Sequence, residues 1–142
     1  MSRRTFHFRP EGEQAFGYAQ AVSAGGLLFV SGTLSVDAAF QTIGAGDMRQ
    51  QLEVVYSALA ETLRAHDLGF SAVVKETVFV TDMAAFLAAN DVRVATYQGL
   101  SLPAVTAVEV RRLAFPGNVV EIEIVAALEA AVDPGLKAAA AS

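Results

Sequence analysis

The sequence of 142 residues contains no cysteine, no tryptophan, only two histidines and no apolar run of membrane-spanning length. Without cysteine the chain forms no disulfide framework, no thiolate metal site and no thiol nucleophile, which fits a reducing compartment. A membrane span needs about 18 or more consecutive apolar residues, and a signal peptide needs a continuous apolar stretch that residues 1–8 lack. We therefore expect a cytoplasmic protein that neither spans a membrane nor is secreted.

Positive charge is also scarce. The chain has 10 Lys and Arg against 15 Asp and Glu, for a net charge of −5. Apart from Arg3-Arg4 and Arg111-Arg112, the basic residues are scattered along the sequence. Because binding to a phosphate backbone requires a clustered positive surface, the charge argues against a nucleic-acid partner.

Apolar residues are abundant, since 54% of the residues are hydrophobic and 18% are charged. A chain of this length normally forms one domain, and an apolar surplus favours an oligomer that buries part of its surface. The alternative is that alanine inflates the apolar count while adding little area. We predict a single domain over residues 1–128 and a flexible tail over 129–142, where the bulky residues of a core are sparse.

Two segments have the period of amphipathic helices. The first begins at Asp47, which offers an N-cap carboxylate, and we expect it to end at Gly69. The second is predicted to run from Asp82 to about Tyr97. The apolar stripe of the first helix consists of Met48, Leu52, Val55, Leu59 and Leu63.

Strands are predicted where β-branched and aromatic residues cluster between turns, over residues 5–9, 27–34, 73–81, 104–110 and 119–128. Residues 18–23 can form the other arm of a hairpin with 27–34. Simple alternation places Val74 on the side of Glu76 and Val73 on the opposite side. The order of elements indicates an α+β layer pair in which both helices cover one sheet face and the other face is left for partners.

Residue types alone reveal no standard catalytic constellation. His7 and His66 are far apart in sequence, and His66 at the end of the first helix suits a solvated imidazole. The stretch 43–47 lacks the Lys-Ser/Thr of a phosphate-binding loop and predicts a turn. We therefore expect neither a metal site nor a Ser-His-Asp triad.

Three glutamates lie among aliphatic residues of predicted strands, namely Glu109, Glu121 and Glu123. A carboxylate in such a strand either faces water or is buried with partners. Glu121 and Glu123 share one face because strand side chains alternate with a period of two. The residue pattern leaves both alternatives open.

Several separated segments resemble the Rid (reactive intermediate deaminase, or YjgF) family in order and spacing. They cover roughly residues 16–128 and comprise 17–22, 28–34, 74–83, 86–90, 103–104, 108–110 and 120–123. The resemblance implies a chorismate-mutase-like α+β fold, with a mixed sheet and two helices on one face. It also implies a homotrimer with a central barrel and a small-molecule pocket between neighbouring subunits.

The resemblance further implies an activity. Archetypal members hydrolyse enamines and imines to a keto acid and ammonia without a cofactor, so position and polarisation supply the catalysis. Glu121 would orient or activate the attacking water, and the backbone carbonyl of Ala107 would help to place it. By the same resemblance, the substrate-binding positions are Tyr18, Ser31, Gly32, Asn90, Val105 and Thr106.

One position departs from the family pattern. Deaminating members carry an Arg within a Pro-Ala-Arg-Ser/Thr motif, whereas here residues 103–106 place Val105 at that point. Valine supplies neither the charge nor the paired hydrogen bonds with which a guanidinium holds a carboxylate. Arg111 lies six residues farther along, about 20 Å in an extended strand, which is too far for a direct substitute. The departure signals either altered specificity or lost catalysis.

Three functions are therefore weighed. The first is a Rid-type hydrolase for a small imine or enamine with altered substrate scope. The second is a non-catalytic or regulatory trimer that binds a metabolite in the same cleft, in which Glu121 makes only a structural hydrogen bond. Without the resemblance, Tyr18 could equally be an aromatic residue packed in an interface, and Asn90 a helix residue that satisfies nearby backbone groups. The third is a nuclease or translation inhibitor, against which the acidic net charge argues.

Overall fold

The computed structural model describes residues 2–129, which form one six-stranded mixed sheet and four α-helices, with α2 packed on one face of the sheet. The strands are β1 (Arg4–Phe6), β2 (Ala21–Ala24), β3 (Leu27–Leu34), β4 (Val73–Val80), β5 (Ala104–Glu109) and β6 (Val120–Ala127). The helices are α1 (Pro10–Phe16), α2 (Met48–Arg64), α3 (Met83–Ala88) and α4 (Asn90–Thr96), and a 3-10 turn covers Phe70–Ala72.

The sheet has the order β1-β2-β3-β6-β4-β5. All neighbours are antiparallel except β4 and β5, which pair in parallel. A parallel pair needs a crossover connection, and α3 and α4 supply it between these two strands. The mixed α+β sheet predicted from the sequence is confirmed.

The core lies between α2 and the sheet. The predicted apolar stripe of α2 is buried, and it packs with sheet residues such as Val30, Val78 and Ile122. The Asp47 carboxylate accepts a hydrogen bond from the Gln50 backbone N–H at 3.1 Å, as an N-cap should.

The end of α2 differs from the prediction at Gly69. The helix ends at Arg64, and the residue in the left-handed region is Asp67, with φ of 57°. The Leu68 backbone N–H then bonds the Leu63 carbonyl at 2.9 Å. Asp is tolerated in this conformation because its short polar side chain can bond locally.

Two further predictions need correction, one of a helix and one of a strand. The helix expected from Asp82 to Tyr97 is interrupted at Ala89, whose φ of −104° and ψ of 9° separate α3 from α4. The segment that leads into α1 is shorter as a strand than predicted, and α1 itself was not expected. Its signals were Pro10 at the helix start and Gly17 in the left-handed region at its end.

The predicted faces of β4 are wrong at its first two residues. Val73 pairs with Ala126 and Lys75 pairs with Val125, so the ladder with β6 contains a bulge at Val74. Val73 is therefore buried on the helix side, whereas Val74 is exposed. Beyond the bulge, the alternation of β4 follows the prediction.

The sheet face opposite the helices is called the open face here. By strand alternation it carries Phe29, Val108 and Glu123, and Phe29 and Val108 are 46% and 38% exposed. Within residues 2–129, no helix has the length and apolar character needed to cross a membrane. The proposed domain limit at residue 128 stays a prediction, and the tail expected from residue 129 lies beyond the described residues from 130 onward.

Candidate functional site

The candidate site is a cavity of about 400 Å³ at the end of β3. Its polar residues come from β3, from β6, from the segment before β2 and from Arg9 before α1, while its apolar wall comes mainly from loops. The residues that line the cavity include Arg9, Phe16, Tyr18, Ser31, Gly32, Phe40, Phe115 and Glu121. The cavity thus collects four of the sequence-predicted site residues, namely Tyr18, Ser31, Gly32 and Glu121.

Glu121 and Gly32 are in close contact across neighbouring strands. The ladder between β3 and β6 shifts between Val30 and Thr33, which creates an irregularity at Ser31 and Gly32. A Cβ atom on Gly32 would lie 2.8 Å from both Cδ and Oε1 of Glu121. A side chain at position 32 would displace the Glu121 carboxylate, which occupies the space of a Cβ atom, and the backbone φ of Gly32 lies outside the left-handed region.

Backbone and side-chain hydrogen bonds hold the other walls of the cavity. The Ser31 hydroxyl donates to the Ala19 carbonyl at 2.6 Å, and the Ser31 N–H donates to the Gln20 carbonyl at 2.8 Å. The Gln20 side chain in turn donates to the Thr33 hydroxyl at 3.0 Å. Ser31 therefore positions the strand, and its hydroxyl proton is already used within the protein.

Two titratable groups of the cavity, Tyr18 and Glu121, have perturbed pKa values. Burial raises the pKa of the Glu121 carboxyl above its ordinary value, and the neighbouring Glu123 carboxylate raises it further. Burial and then the charge of Glu13 raise the pKa of the Tyr18 hydroxyl, with Arg9 acting in the opposite direction. The site thus combines a carboxylate that is a stronger base than an ordinary glutamate with a hydroxyl that stays protonated.

The other predicted site residues lie elsewhere on the chain. Asn90 is the first residue of α4, and Val105, Thr106 and Ala107 lie on β5. Within the described residues none of them lines the cavity that holds Glu121. Thr106 accepts a hydrogen bond from the Lys75 ammonium at 2.8 Å. One chain therefore presents the predicted site as two separate groups of residues.

In the part of the chain that the structure describes, no group of three or more His, Cys, Asp or Glu side chains could hold a metal ion. The expectation of a cofactor-free site stays a prediction.

Residues 10–128 match the protein family described as Endoribonuclease L-PSP. A RutC family protein of Pyrococcus horikoshii is 39% identical over 110 residues, which is 77% of this chain and 85% of the relative. A solved structure of a Rid family protein from Yersinia pestis aligns with a TM-score of 0.80 and covers 89% of this chain and 99% of that one. The chain belongs to the Rid family.

Another relative of this Rid family member has a named activity. A 2-iminobutanoate/2-iminopropanoate deaminase of Mus musculus is 34% identical over 109 residues, which is 77% of this chain and 79% of the mouse protein. The Yersinia pestis structure is 24% identical to this chain, so it supports the fold alone.

Sequence reasoning missed a buried polar cluster in this Rid family member. The fully buried Glu76 carboxylate accepts hydrogen bonds from the Tyr56 hydroxyl at 2.8 Å, the Tyr97 hydroxyl at 2.5 Å and Arg93 Nε at 2.9 Å. Glu76 lies in a strand that was predicted, but its partners lie on α2, on α4 and immediately after α4. Only the packing of these helices brings them together.

Arg9 and the three phenylalanines of the cavity wall were also missed. Arg9 precedes a short helix that was not predicted, and the phenylalanines lie at the end of that helix and in two loops. No periodic pattern links such positions in sequence.

Proposed function

We propose that this chain hydrolyses a small imine or enamine to a carbonyl compound and ammonia, with Glu121 directing the attacking water. The observation that carries the proposal is the Glu121 carboxylate, half-buried in a cavity beside Gly32 with a raised pKa. A base whose pKa lies nearer neutrality matches proton transfer better than an ordinary carboxylate does. The activity named for the mouse relative supports the same reaction class.

The chemistry needs few groups because a protonated imine carbon is already electrophilic. As water oxygen bonds to that carbon, Glu121 accepts a water proton, and the C=N π electrons move to nitrogen. Transfer of that proton to the amino nitrogen of the tetrahedral intermediate then makes it a leaving group. Glu121 then accepts the hydroxyl proton as the C=O double bond forms and the C–N bond breaks, which releases ammonia, and this proton passes to ammonia or to solvent. An enamine enters after tautomerising to the imine.

The complete site is proposed to form between neighbouring subunits of a homotrimer. Asn90, Val105, Thr106 and the Ala107 carbonyl of one subunit would face the cavity that contains Glu121 in the next subunit. Exposed apolar side chains on the open face and on β5 support an assembly that covers them. The absence of cysteine and of a spanning helix in the described residues is compatible with the cytoplasmic location that we propose.

The substrate scope is proposed to differ from that of deaminases with an Arg in the 103–106 motif. Val105 is 41% exposed and sits opposite Glu76 in the β4–β5 ladder. This apolar side chain offers no partner for a carboxylate. We therefore expect 2-aminoacrylate, a small substrate that would need a cation at position 105 to hold its carboxylate, to be a poor substrate.

The test is the rate of ammonia release from freshly generated imines, with and without a carboxylate, above the uncatalysed rate. Glu121→Ala should lower the rate by about 100-fold or more, the usual contribution of a general base. Gly32→Ala should also lower it, because the added Cβ displaces the carboxylate. Glu53→Ala, which removes an exposed carboxylate from α2, is the matched control and should leave the rate unchanged.

The second candidate is a trimer that binds a metabolite without turnover, and the valine at position 105 favours it. Val105→Arg separates the two candidates. A wild-type protein that is inert on every imine, combined with a Val105→Arg variant that gains activity on 2-aminoacrylate, would support binding or different chemistry as the natural role. Turnover by the wild type that Glu121→Ala abolishes would support the hydrolase.

A further inference from the structure

We propose that the ligand of the Glu121 cavity carries a planar aromatic group and an acidic group, which bind to a phenylalanine wall and to Arg9 respectively. The inference rests on the proposed function, because it names the substrate class of the same site. It assigns the anion-binding role to a residue within the cavity, whereas position 105 lies outside the cavity of the same chain. An imino acid with an aromatic side chain has the required combination of groups.

The phenylalanine wall consists of Phe16, Phe40 and Phe115. Their ring centroids are 5.3 Å apart for Phe16 and Phe40, 5.9 Å for Phe16 and Phe115, and 6.1 Å for Phe40 and Phe115. The interplanar angles of 58° to 67° are tilted or edge-to-face, so the three rings form a concave apolar surface. Phe16 is 62% exposed, which leaves its ring available to a ligand.

Two backbone features hold Phe40 in this wall. Its φ of 62° lies in the left-handed region, which a bulky residue adopts only when its surroundings impose it. Gly12 of α1 leaves room for the Phe40 ring, since a Cβ at Gly12 would collide with it. A strained aromatic residue beside a cavity points to a binding role for the ring.

Arg9 supplies the one cationic side chain of the cavity wall among the described residues. Its Nη2 donates to the Val36 carbonyl at 2.9 Å, and its guanidinium carbon lies 5.8 Å from the centroid of the Phe40 ring. These contacts fix the side chain while leaving further guanidinium N–H groups for an anion. A fixed guanidinium is suited to hold a carboxylate because less side-chain freedom is lost on binding.

The cation, the aromatic wall and the carboxylate face one space. Arg9, Tyr18, the three phenylalanines and Glu121 all line the same cavity. A cavity of about 400 Å³ lies within the range of sites for small organic ligands and is large for a three-carbon imine. A ligand held at both ends would leave its reactive carbon between them, towards Glu121.

The test measures binding rather than turnover, with three stable probes and the full-length protein. Phenylpyruvate carries both groups, pyruvate carries the acid alone, and phenylacetone carries the ring alone. We expect calorimetry or NMR titration to give a phenylpyruvate affinity about ten-fold or more above that of either other probe. Equal affinity for pyruvate would overturn the aromatic part, and equal affinity for phenylacetone would overturn the acidic part.

Variants then locate the two contacts. Arg9→Met should weaken phenylpyruvate binding about ten-fold and leave phenylacetone binding unchanged. Arg64→Met removes an exposed charge from the end of α2 and is the matched control, for which both affinities should stay at the wild-type level. Phe115→Leu should weaken phenylpyruvate and leave pyruvate unchanged. Loss of all three affinities together in either cavity variant would contradict separate contacts.

The result is distinguishable from a failure of the proposed reaction. If the three probes rank as expected but no imine is turned over, the ligand class stands and the hydrolase fails. If imines are hydrolysed but small aliphatic ones are preferred and phenylpyruvate does not compete, the hydrolase stands and the ligand class fails. The probe ranking with the wild-type protein decides this even where a variant does not fold.

Discussion

Glu121 is held at a position that ordinary strand packing would not provide. The missing side chain of Gly32 and the ladder irregularity beside it let the carboxylate approach the backbone of β3. The environment that raises its pKa is also unfavourable for folding, because ionisation of a partly buried carboxylate near Glu123 costs free energy. A functional site built at some cost in stability is a common arrangement.

The free-energy cost of ionising Glu121 can be measured from the pH dependence of protein stability. The native-state pKa of Glu121 lies above its unfolded-state value, so the native state binds the proton more tightly and stability falls as pH rises through the interval between the two. Glu121→Gln removes this ionisation. We expect the variant to have a higher Tm than the wild type at about pH 8, and the gain to shrink towards about pH 4, below the unfolded-state pKa.

Thermal denaturation across this pH range checks the expectation. Glu53→Gln changes an exposed carboxylate of α2 and should give a small Tm difference that is similar at both pH values. A Tm of Glu121→Gln below that of the wild type near pH 8 would mean that the carboxylate stabilises the fold, contrary to the sign argued here.

At the scale of elements, the Glu76 cluster joins the sheet to two helices. The carboxylate belongs to β4, whereas Tyr56 lies on α2, Arg93 on α4 and Tyr97 immediately after α4. Arg93 is 13% exposed in its side chain and carries a buried Nη2 without a partner in the described structure. The cluster holds α4, and hence Asn90 at its start, against the sheet.

Removal of the carboxylate should therefore be costly. Glu76→Ala leaves the Arg93 charge and two tyrosine hydroxyls without their acceptor, and we expect a loss of about 3–5 kcal/mol in the free energy of unfolding. Urea denaturation measures this loss. Glu61→Ala, at an exposed position of α2, is the control and should change the free energy by less than about 0.5 kcal/mol. A loss of that small size for Glu76→Ala would show that the cluster contributes little to stability.

At the scale of the whole molecule, the predicted site residues form two groups that do not meet within one chain. One group lines the cavity with Glu121, and the other lies on α4 and β5. A closed ring of identical subunits would join the first group of each subunit to the second group of its neighbour. Light scattering should then give the mass of three chains.

Mixing of two inactive variants tests whether sites are shared between subunits. Glu121→Ala inactivates the first group and Asn90→Ala the second, each in its own preparation. After unfolding and refolding together in equal amounts, random trimers should recover about one quarter of the wild-type activity, because that fraction of interfaces contains both intact groups. No recovery, with trimers that contain both variants, would assign the whole site to one chain.

Local pattern determined much of the fold. Side-chain period and capping chemistry act over a few residues. They predicted the apolar stripe of α2, its N-cap at Asp47 and the limits of β3. Three features were not predicted, namely the short helix α1, the break at Ala89 and the bulge at Val74. Each depends on how a segment packs against its neighbours.

The candidate site was likewise predicted in part from the sequence. The positions of Tyr18, Ser31, Gly32 and Glu121 were predicted from family resemblance, and the structure brings these four residues to one cavity. Only the tertiary structure decided that Gly32 leaves room for the Glu121 carboxylate, since this contact joins strands far apart in sequence. It also decided which aromatic and basic residues complete the wall, because loop conformation and strand order set those distances and no sequence period encodes them.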